Sequence, residues 1–366
     1  MITQEAWDGV AFLVDHYARV APEDFVVVAY TAQACEAAAW VAYELDSRQV
    51  ATARVAMAPV SDAGFADRFA DALPAPEAVA GRVVVMTFEC DTMSHTRQLH
   101  DGLARFQKDR CAILRIMSAY EELFSCAVKV GPEELHARNA TVLRRCTTAR
   151  NLHVTSPGGT DLSIRLNNDR FRWISNRGAL HPGGTVVLPA GEVATYPDSV
   201  EGTLVADFAL HINTVTDIDT RLDRHPVTVR IEDGCIADFS CDDPGTMTFL
   251  EGCFVEPRTR RVGELGFGTN PRVVDPIARN SHINERRPGV HIGFGQHNQS
   301  GILPYNCDQH LDLIARGAVI RADRDARPLD LERLVPSARN HPLWAQEEDV
   351  FSPDAAVPDV DCCGLE

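Results

Sequence analysis

The sequence predicts an α/β N-terminal domain built on an open, mostly parallel sheet, followed by a β-rich α+β C-terminal domain that binds metal. Three observations predict it. Continuous apolar runs alternate with helical periodicity over residues 1–150; short β runs bounded by Gly, Asp, Asn and Pro follow from 151; and His, Asp and Glu sit inside apolar, Gly-flanked segments of that second half. A length of 366 residues suits two domains, each able to bury a core. We place them at 1–150 and 151–350, with 351–366 as a mobile Pro- and Asp-rich tail.

The first segment, MITQEAWDGVAFLVDHYARV, has no basic n-region and is interrupted by Asp8, Asp15 and His16, so it reads as an amphipathic helix and not a signal peptide. FVVVAY (25–30), VATARVAM (50–57), RVVVMTF (82–88) and CAILRI (111–116) are apolar runs rich in β-branched residues, the pattern of strands buried on both faces of a parallel sheet. Residues 32–47, 61–73, 95–109 and about 132–149 carry the 3.6-residue period of helices between or after them. No GxGxxG or GxxxxGK follows a strand, which removes a dinucleotide or P-loop reading. Beyond 150, NLHVTSPGGTDLSIRL predicts a hairpin turning at Pro157-Gly158-Gly159. TVVLPAGEVATYP, GTLVADFALHI, VTVRIEDGCIADF, VGELGFGTNP, GVHIGFGQ and HLDLIARGAVI predict the strands of the second domain.

The charge narrows the partners. With 35 Lys+Arg against 52 Asp+Glu the net charge is −17, which argues against nucleic acid and anionic membrane surfaces. No stretch approaches the ~18 apolar residues of a membrane span. The 11 cysteines form no CxxC pair, and several lie in apolar runs, which predicts reduced core residues and a cytoplasmic protein. Cys362 and Cys363 are adjacent in the tail, where metal binding or oxidation is chemically open to them and simple exposure is expected.

The chemistry concentrates in the second half. In His310-Leu311-Asp312-Leu313-Ile314 the i, i+2 spacing sends His310 and Asp312 to one face of a strand and the leucines to the other. Imidazole and carboxylate on one face are ready ligands for zinc, cobalt, manganese or iron. His291 in GVHIGFG, Glu264 in VGELGFG and Glu192 in LPAGEVAT lie in similar settings, and a charge buried there unpaired would cost several kcal/mol. Three carboxylates and two imidazoles in one domain make a two-metal centre plausible, with one or two divalent ions per chain. His282 and His297 are candidates to line the pocket, with exposed loops as the commoner outcome. EPRTRR (256–261) offers Arg258, Arg260 or Arg261 to a substrate carboxylate, with a solvated loop as the expected alternative.

In LPAGEVATYPDSVEGTLVAD (188–207), VGELGFGTNP (262–271), NERRPGVHIGFG (284–295) and HLDLI (310–314) the sequence resembles the aminopeptidase T/aminopeptidase S metallopeptidases and, equally, the related 2,5-dihydroxypyridine dioxygenases. The peptidase resemblance implies a homodimer with a dinuclear zinc or cobalt centre held by Glu192, Glu264, His291, His310 and Asp312. It implies Glu285 as general base toward water, or alternatively a surface partner of Arg286 or Arg287. The tyrosine that these peptidases carry after the strand histidine is replaced by Gln296-His297-Asn298-Gln299, and Tyr305 and His297 stand nearby as substrate-binding candidates. The dioxygenase resemblance implies a mononuclear Fe(II) held by two histidines and an aspartate; His310 and Asp312 match two of these, and Glu264 falls where the third, a histidine, is expected. Weighting the ligand set, the sequence predicts a metal-dependent hydrolase of a peptide or amide bond in a small-molecule or peptide substrate. An Fe(II) ring-cleaving dioxygenase is the alternative.

Overall fold

The computed structural model describes residues 2–90, 92–180, 184–299, 301–336 and 350–351. The chain forms two compact units, one of Met1–Pro132 with Gly178–Ala190, the other of Glu133–Arg177 with Gly191–Glu366.

The first unit is built on a five-stranded parallel sheet in the order Ala51–Ala56, Phe25–Tyr30, Val83–Phe88, Cys111–Ile116, Thr185–Leu188. Val83–Phe88 and Cys111–Ile116 are buried at every position, which is why they read as apolar runs, broken at Thr87 and Arg115 alone, and not as alternating ones. The helices are Gln4–Phe12, Cys35–Ser47, Phe65–Ala72 and Thr96–Leu103. The first is capped by Thr3, whose hydroxyl accepts from the Ala6 amide at 3.3 Å. The fourth is shorter than its expected span of 95–109, and Lys108–Arg110 forms a separate 3-10 turn. The expected open, mostly parallel sheet is therefore present, with one strand that sequence reading had assigned to the second half. TVVLPAGEVAT holds two strands, and Pro189-Ala190-Gly191 separates them: Thr185–Leu188 runs parallel to Cys111–Ile116, while Glu192–Thr195 belongs to the second unit. Nothing local in the apolar run says which sheet it joins.

The second unit contains two antiparallel seven-stranded sheets. One runs in the order Cys235–Ser240, Val227–Glu232, Ser199–Ala206, Asp161–Arg165, Asn151–Thr155, Val319–Ala322, Leu329–Asp330. Its Asn151–Thr155/Asp161–Arg165 hairpin turns through Gly159, whose φ of 108° suits a residue without a Cβ. The other runs in the order Ala209–Ile212, His310–Arg316, Gly289–Gly295, Val262–Gly268, Glu192–Thr195, Trp173–Asn176, Val350–Phe351. Both sheets feed one apolar core, where Leu152, Val154 and Leu204 meet Leu265, Phe267, Ile292, Phe294, Leu311 and Leu313, together with Leu143 and Cys146 of the Pro132–Cys146 helix. The expected tail, with Cys362 and Cys363, lies outside the described residues from 352 onward.

Among the described residues no helix is long and apolar enough to cross a membrane.

Candidate metal centre

The second of these sheets has two unlike faces. Side chains alternate along a strand, so Leu265 and Phe267, Val290, Ile292 and Phe294, and Leu311 and Leu313 enter the core. The intervening positions are glycines and potential ligands: Glu264, Gly266 and Gly268; Gly289, His291, Gly293 and Gly295; His310 and Asp312. Register sets them side by side. His211 pairs with Asp312, Asp312 with Gly293, and Gly293 with Glu264, while His291 pairs with Gly266 and Glu192 with Gly268.

The glycines provide the room. A Cβ at Gly266 would come within 1.8 Å of His291 Nε2, and one at Gly293 would lie 2.7 Å from His310 Cε1, 2.8 Å from Asp312 Oδ1 and 2.9 Å from the Glu264 Cβ. These two positions are glycine because the neighbouring ligand side chains occupy the space a methyl group would need.

Three groups of side chains each bring one potential ligand atom apiece to within 4.8 Å of one another: Glu192, Glu264 and His291; Glu264, His310 and Asp312; and His211, His282 and Glu285. The five residues that the peptidase resemblance singles out as ligands thus come together as two groups sharing Glu264. All eight residues are at most 7% exposed, so water cannot carry their charge. His291 Nε2 is 3.0 Å from Glu192 Oε1 and 3.5 Å from Glu264 Oε1, and His310 Nε2 is 3.2 Å from Asp312 Oδ2.

Two partners fix ligand orientation from outside. Asn298 Nδ2 donates to Glu264 Oε2 at 2.8 Å, leaving Oε1 for the site. His310 Nδ1 lies 2.8 Å from the Gln296 carbonyl, to which it donates, and this turns Nε2 toward Asp312. The segment 296–299 therefore braces two of the candidate ligand residues.

The electrostatics are those of a site short of positive charge. Four buried carboxylates, Glu192, Glu264, Glu285 and Asp312, gather here. The Arg286 guanidinium reaches two of them, contacting Glu192 Oε2 and, at 3.2 Å, Glu285 Oε2. Burial would push every carboxyl up and every imidazole down. Burial prevails at Glu264, which is raised, and at His282, which is held well below its ordinary value by burial and then by His211 and Arg286. Arg286 and His291 together outweigh burial at Glu192, and His310, His211 and His291 together outweigh it at Asp312, so both stay lowered. Against burial, Glu192 and Glu264 lift His291 well above the ordinary range, Asp312 lifts His310 to about 10, and Glu285 with Asp312 lifts His211 to about 9. Without a metal, protons on the histidines are what balance these acids.

The donor set fits a cation. Glu192 Oε1, Asp312 Oδ1 and both ring nitrogens of His291 are buried and meet no partner in hydrogen-bond geometry, although their mutual distances are short. Lone-pair atoms that converge without bonding one another are stabilised by an ion placed among them.

Other expected residues lie elsewhere. Glu285 is buried and bracketed between His211 and Arg286, so the surface alternative for it does not hold. His297 and Tyr305, the substrate-binding candidates, contact each other: His297 Nε2 is 2.7 Å from the Tyr305 carbonyl, the rings are 4.6 Å apart, and neither residue joins the three groups. His282 and His297 are each 3% exposed, against the expectation of loop exposure, because both loops fold back onto the sheet. Arg258, Arg260 and Arg261 are exposed, as a solvated loop requires; Arg261 stacks over the Tyr305 ring at 4.7 Å. Sequence reading missed His211. Its signal was present, since His211 interrupts the apolar alternation of Ala209–Ile212 much as Asp312 interrupts that of its neighbouring strand.

The buried His, Glu and Asp groups are those of a metal-binding enzyme. A profile of the NicX family, 2,5-dihydroxypyridine 5,6-dioxygenase, matches residues 10–277, most of the chain, and the chain belongs to that family. Two solved structures share the fold. The 2,5-dihydroxypyridine dioxygenase from Pseudomonas putida KT2440 is 18% identical, with 88% of this chain and 94% of that chain covered and a TM-score of 0.60. Wild-type AmpT from Thermus thermophilus is 13% identical, with coverages of 89% and 97% and a TM-score of 0.54. No curated protein matches the chain in sequence.

Proposed function

We propose that this protein is a metal-dependent dioxygenase that opens a small hydroxylated aromatic or heteroaromatic ring, with Glu264, His310 and Asp312 as the ligands of the working metal. The observation that carries the reading is membership of the NicX family, which favours oxygenase chemistry over the hydrolase that the ligand set alone suggested. The metal would supply open coordination positions for substrate oxygen and dioxygen. The chain's own residues bind and orient: Asn298 and the Gln296 carbonyl hold Glu264 and His310 in place, and Arg286 offsets part of the carboxylate charge. The glycines of this face leave space that the ligand side chains themselves fill. A homodimer and a cytoplasmic setting belong to the same proposal.

The test is an oxygen-electrode assay of protein reloaded with Fe(II), against a panel of dihydroxypyridines and dihydroxybenzenes. Uptake of one O₂ per ring lost is expected. Absence of uptake across the panel, with anaerobic cleavage of aminoacyl amides by the same preparation, would overturn it.

One observation favours the hydrolase as a second reading. Glu264 belongs to two ligand groups, as a carboxylate bridging two ions would, and paired ions can activate a water between them. In that case Glu192, Glu264, His291, His310 and Asp312 would all be ligands and Glu285 the base expected from the peptidase resemblance.

A further inference from the structure

Next to the two ligand groups lies a third, of which the readings above use Glu285 alone, as the base of the hydrolase. His211 comes from the Ala209–Ile212 strand at the edge of the sheet, while His282 and Glu285 come from the segment leading into and forming the Asn284–Arg286 turn. Each contributes one potential ligand atom, and the three atoms lie within 4.8 Å of one another. The two rings are 4.0 Å apart between centroids and inclined at 49°, so they are not stacked flat. All three residues are at most 5% exposed. Both ring nitrogens of His211 are buried without a partner in hydrogen-bond geometry, although Nδ1 lies against Glu285 Oε1 and 3.7 Å from Asp312 Oδ2. Glu285 Oε2 is taken by Arg286 at 3.2 Å, which leaves Oε1 on the histidine side.

Chemistry separates this group from its neighbours. The Glu192–Glu264–His291 and Glu264–His310–Asp312 groups are each two carboxylates and one imidazole, an oxygen-rich set. His211, His282 and Glu285 reverse that ratio. Two imidazoles and one carboxylate are a softer donor set than either neighbour and suit Fe(II) or a similar transition ion with open positions remaining. We propose that His211, His282 and Glu285 form a separate site for an Fe(II)-class transition ion, beside the carboxylate-rich centre. The proposal rests on the reading of this face as a metal centre, but not on oxygenase chemistry, since occupancy can be counted without turnover.

The experiment strips the full-length protein with chelator and titrates it with Co²⁺, following visible absorption and elemental composition of the wild type, His282→Ala, His282→Gln and His310→Ala. The expected result is that both His282 variants bind one Co²⁺ fewer per chain than the wild type and lose one component of the Co²⁺ spectrum. His310→Ala is expected to retain that component. Circular dichroism identifies which variants are folded, and His282→Gln preserves most of the side-chain volume if His282→Ala does not fold. Unchanged stoichiometry and spectrum in a folded His282 variant would overturn the proposal. So would loss of all bound Co²⁺, because the three residues would then not form a separate site. Neither result depends on whether the enzyme consumes oxygen.

Discussion

Two of the places where the described residues bury charge do so differently. In the first unit Arg115, 1% exposed, donates to Thr87 Oγ1 at 2.9 Å, Thr96 Oγ1 at 2.8 Å, Glu89 Oε1 at 2.8 Å and the Ser94 carbonyl at 2.7 Å. One acid meets one base, and the fork geometry of the guanidinium is used on several sides. In the second unit four carboxylates gather around one contacting guanidinium, with lone pairs directed at one another. The first arrangement already pairs its acid with its base and acts to hold structure, with Glu89 Oε2 its one oxygen out of hydrogen-bond geometry. The second is completed only by added positive charge, which is what distinguishes a buried site with a ligand from a buried ion pair.

That difference can be broken by substitution, and the largest expected effect is on metal. Asp312→Asn removes a ligand from the carboxylate-rich centre and should weaken metal binding by more than the ~10–100-fold typical of losing an outer hydrogen-bond partner. The chelated protein should also lose stability at neutral pH, because His310 and His211 lose the carboxylate that holds their protons. Competition with a chromophoric chelator measures the first, and thermal melts measure the second. Arg115→Met should lower stability without touching metal. It strands Glu89, whose carboxyl burial already pushes up, costing about 3–5 kcal/mol of stability while leaving the number of bound metals unchanged. A variant that exchanged these outcomes would end the distinction.

Two smaller effects sharpen it. Gly266→Ala places a methyl group where His291 Nε2 now sits and should cost about 1–3 kcal/mol, with loss of metal from the Glu192–Glu264–His291 group. Asn298→Ala frees Glu264 Oε2 and should weaken metal binding ~10–100-fold, visible in the same chelator competition.

The pH dependence follows from the raised histidines. In the metal-free protein His310 is raised from 6.5 to about 10 and His211 from 6.5 to about 9. Their stabilisation is fully present below pH 6.5 and is lost as pH climbs toward 9–10. Thermal midpoints of the chelated protein should fall across that window. Metal affinity should rise over the same window as ligand protons become easier to displace. A flat profile for both would contradict the charge balance described for the site.

Much of this site was legible in the sequence because strand alternation is a strong signal where one face is packed in a core. HLDLI, VGELGFG and GVHIGFG each interleave core apolar residues with glycine or a ligand, and the resemblance carried on those segments pointed to the same five residues that the fold brings together. What stayed hidden depended on long-range pairing. His211 looked like an isolated histidine until register set it beside Asp312, and the burial of Glu285 and His282 depends on how their turn closes onto the sheet. The parallel strand Thr185–Leu188 was equally invisible locally, since an apolar run of four residues does not encode its partner.

One measurement tests most directly whether the carboxylate- and histidine-bearing face of the second unit is a metal centre. Chelator-stripped protein is titrated with Fe²⁺, Mn²⁺, Co²⁺ and Zn²⁺ under anaerobic conditions, with stoichiometry and thermal stability recorded for the wild type and Asp312→Asn. The predicted result is saturable binding of at least one of these ions to the wild type. It should be accompanied by stabilisation approaching about 2.7 kcal/mol at a free metal concentration 100 times Kd, and both effects should be lost in Asp312→Asn. Absence of stoichiometric binding and of any thermal shift with all four ions, or identical behaviour of the variant, would contradict it.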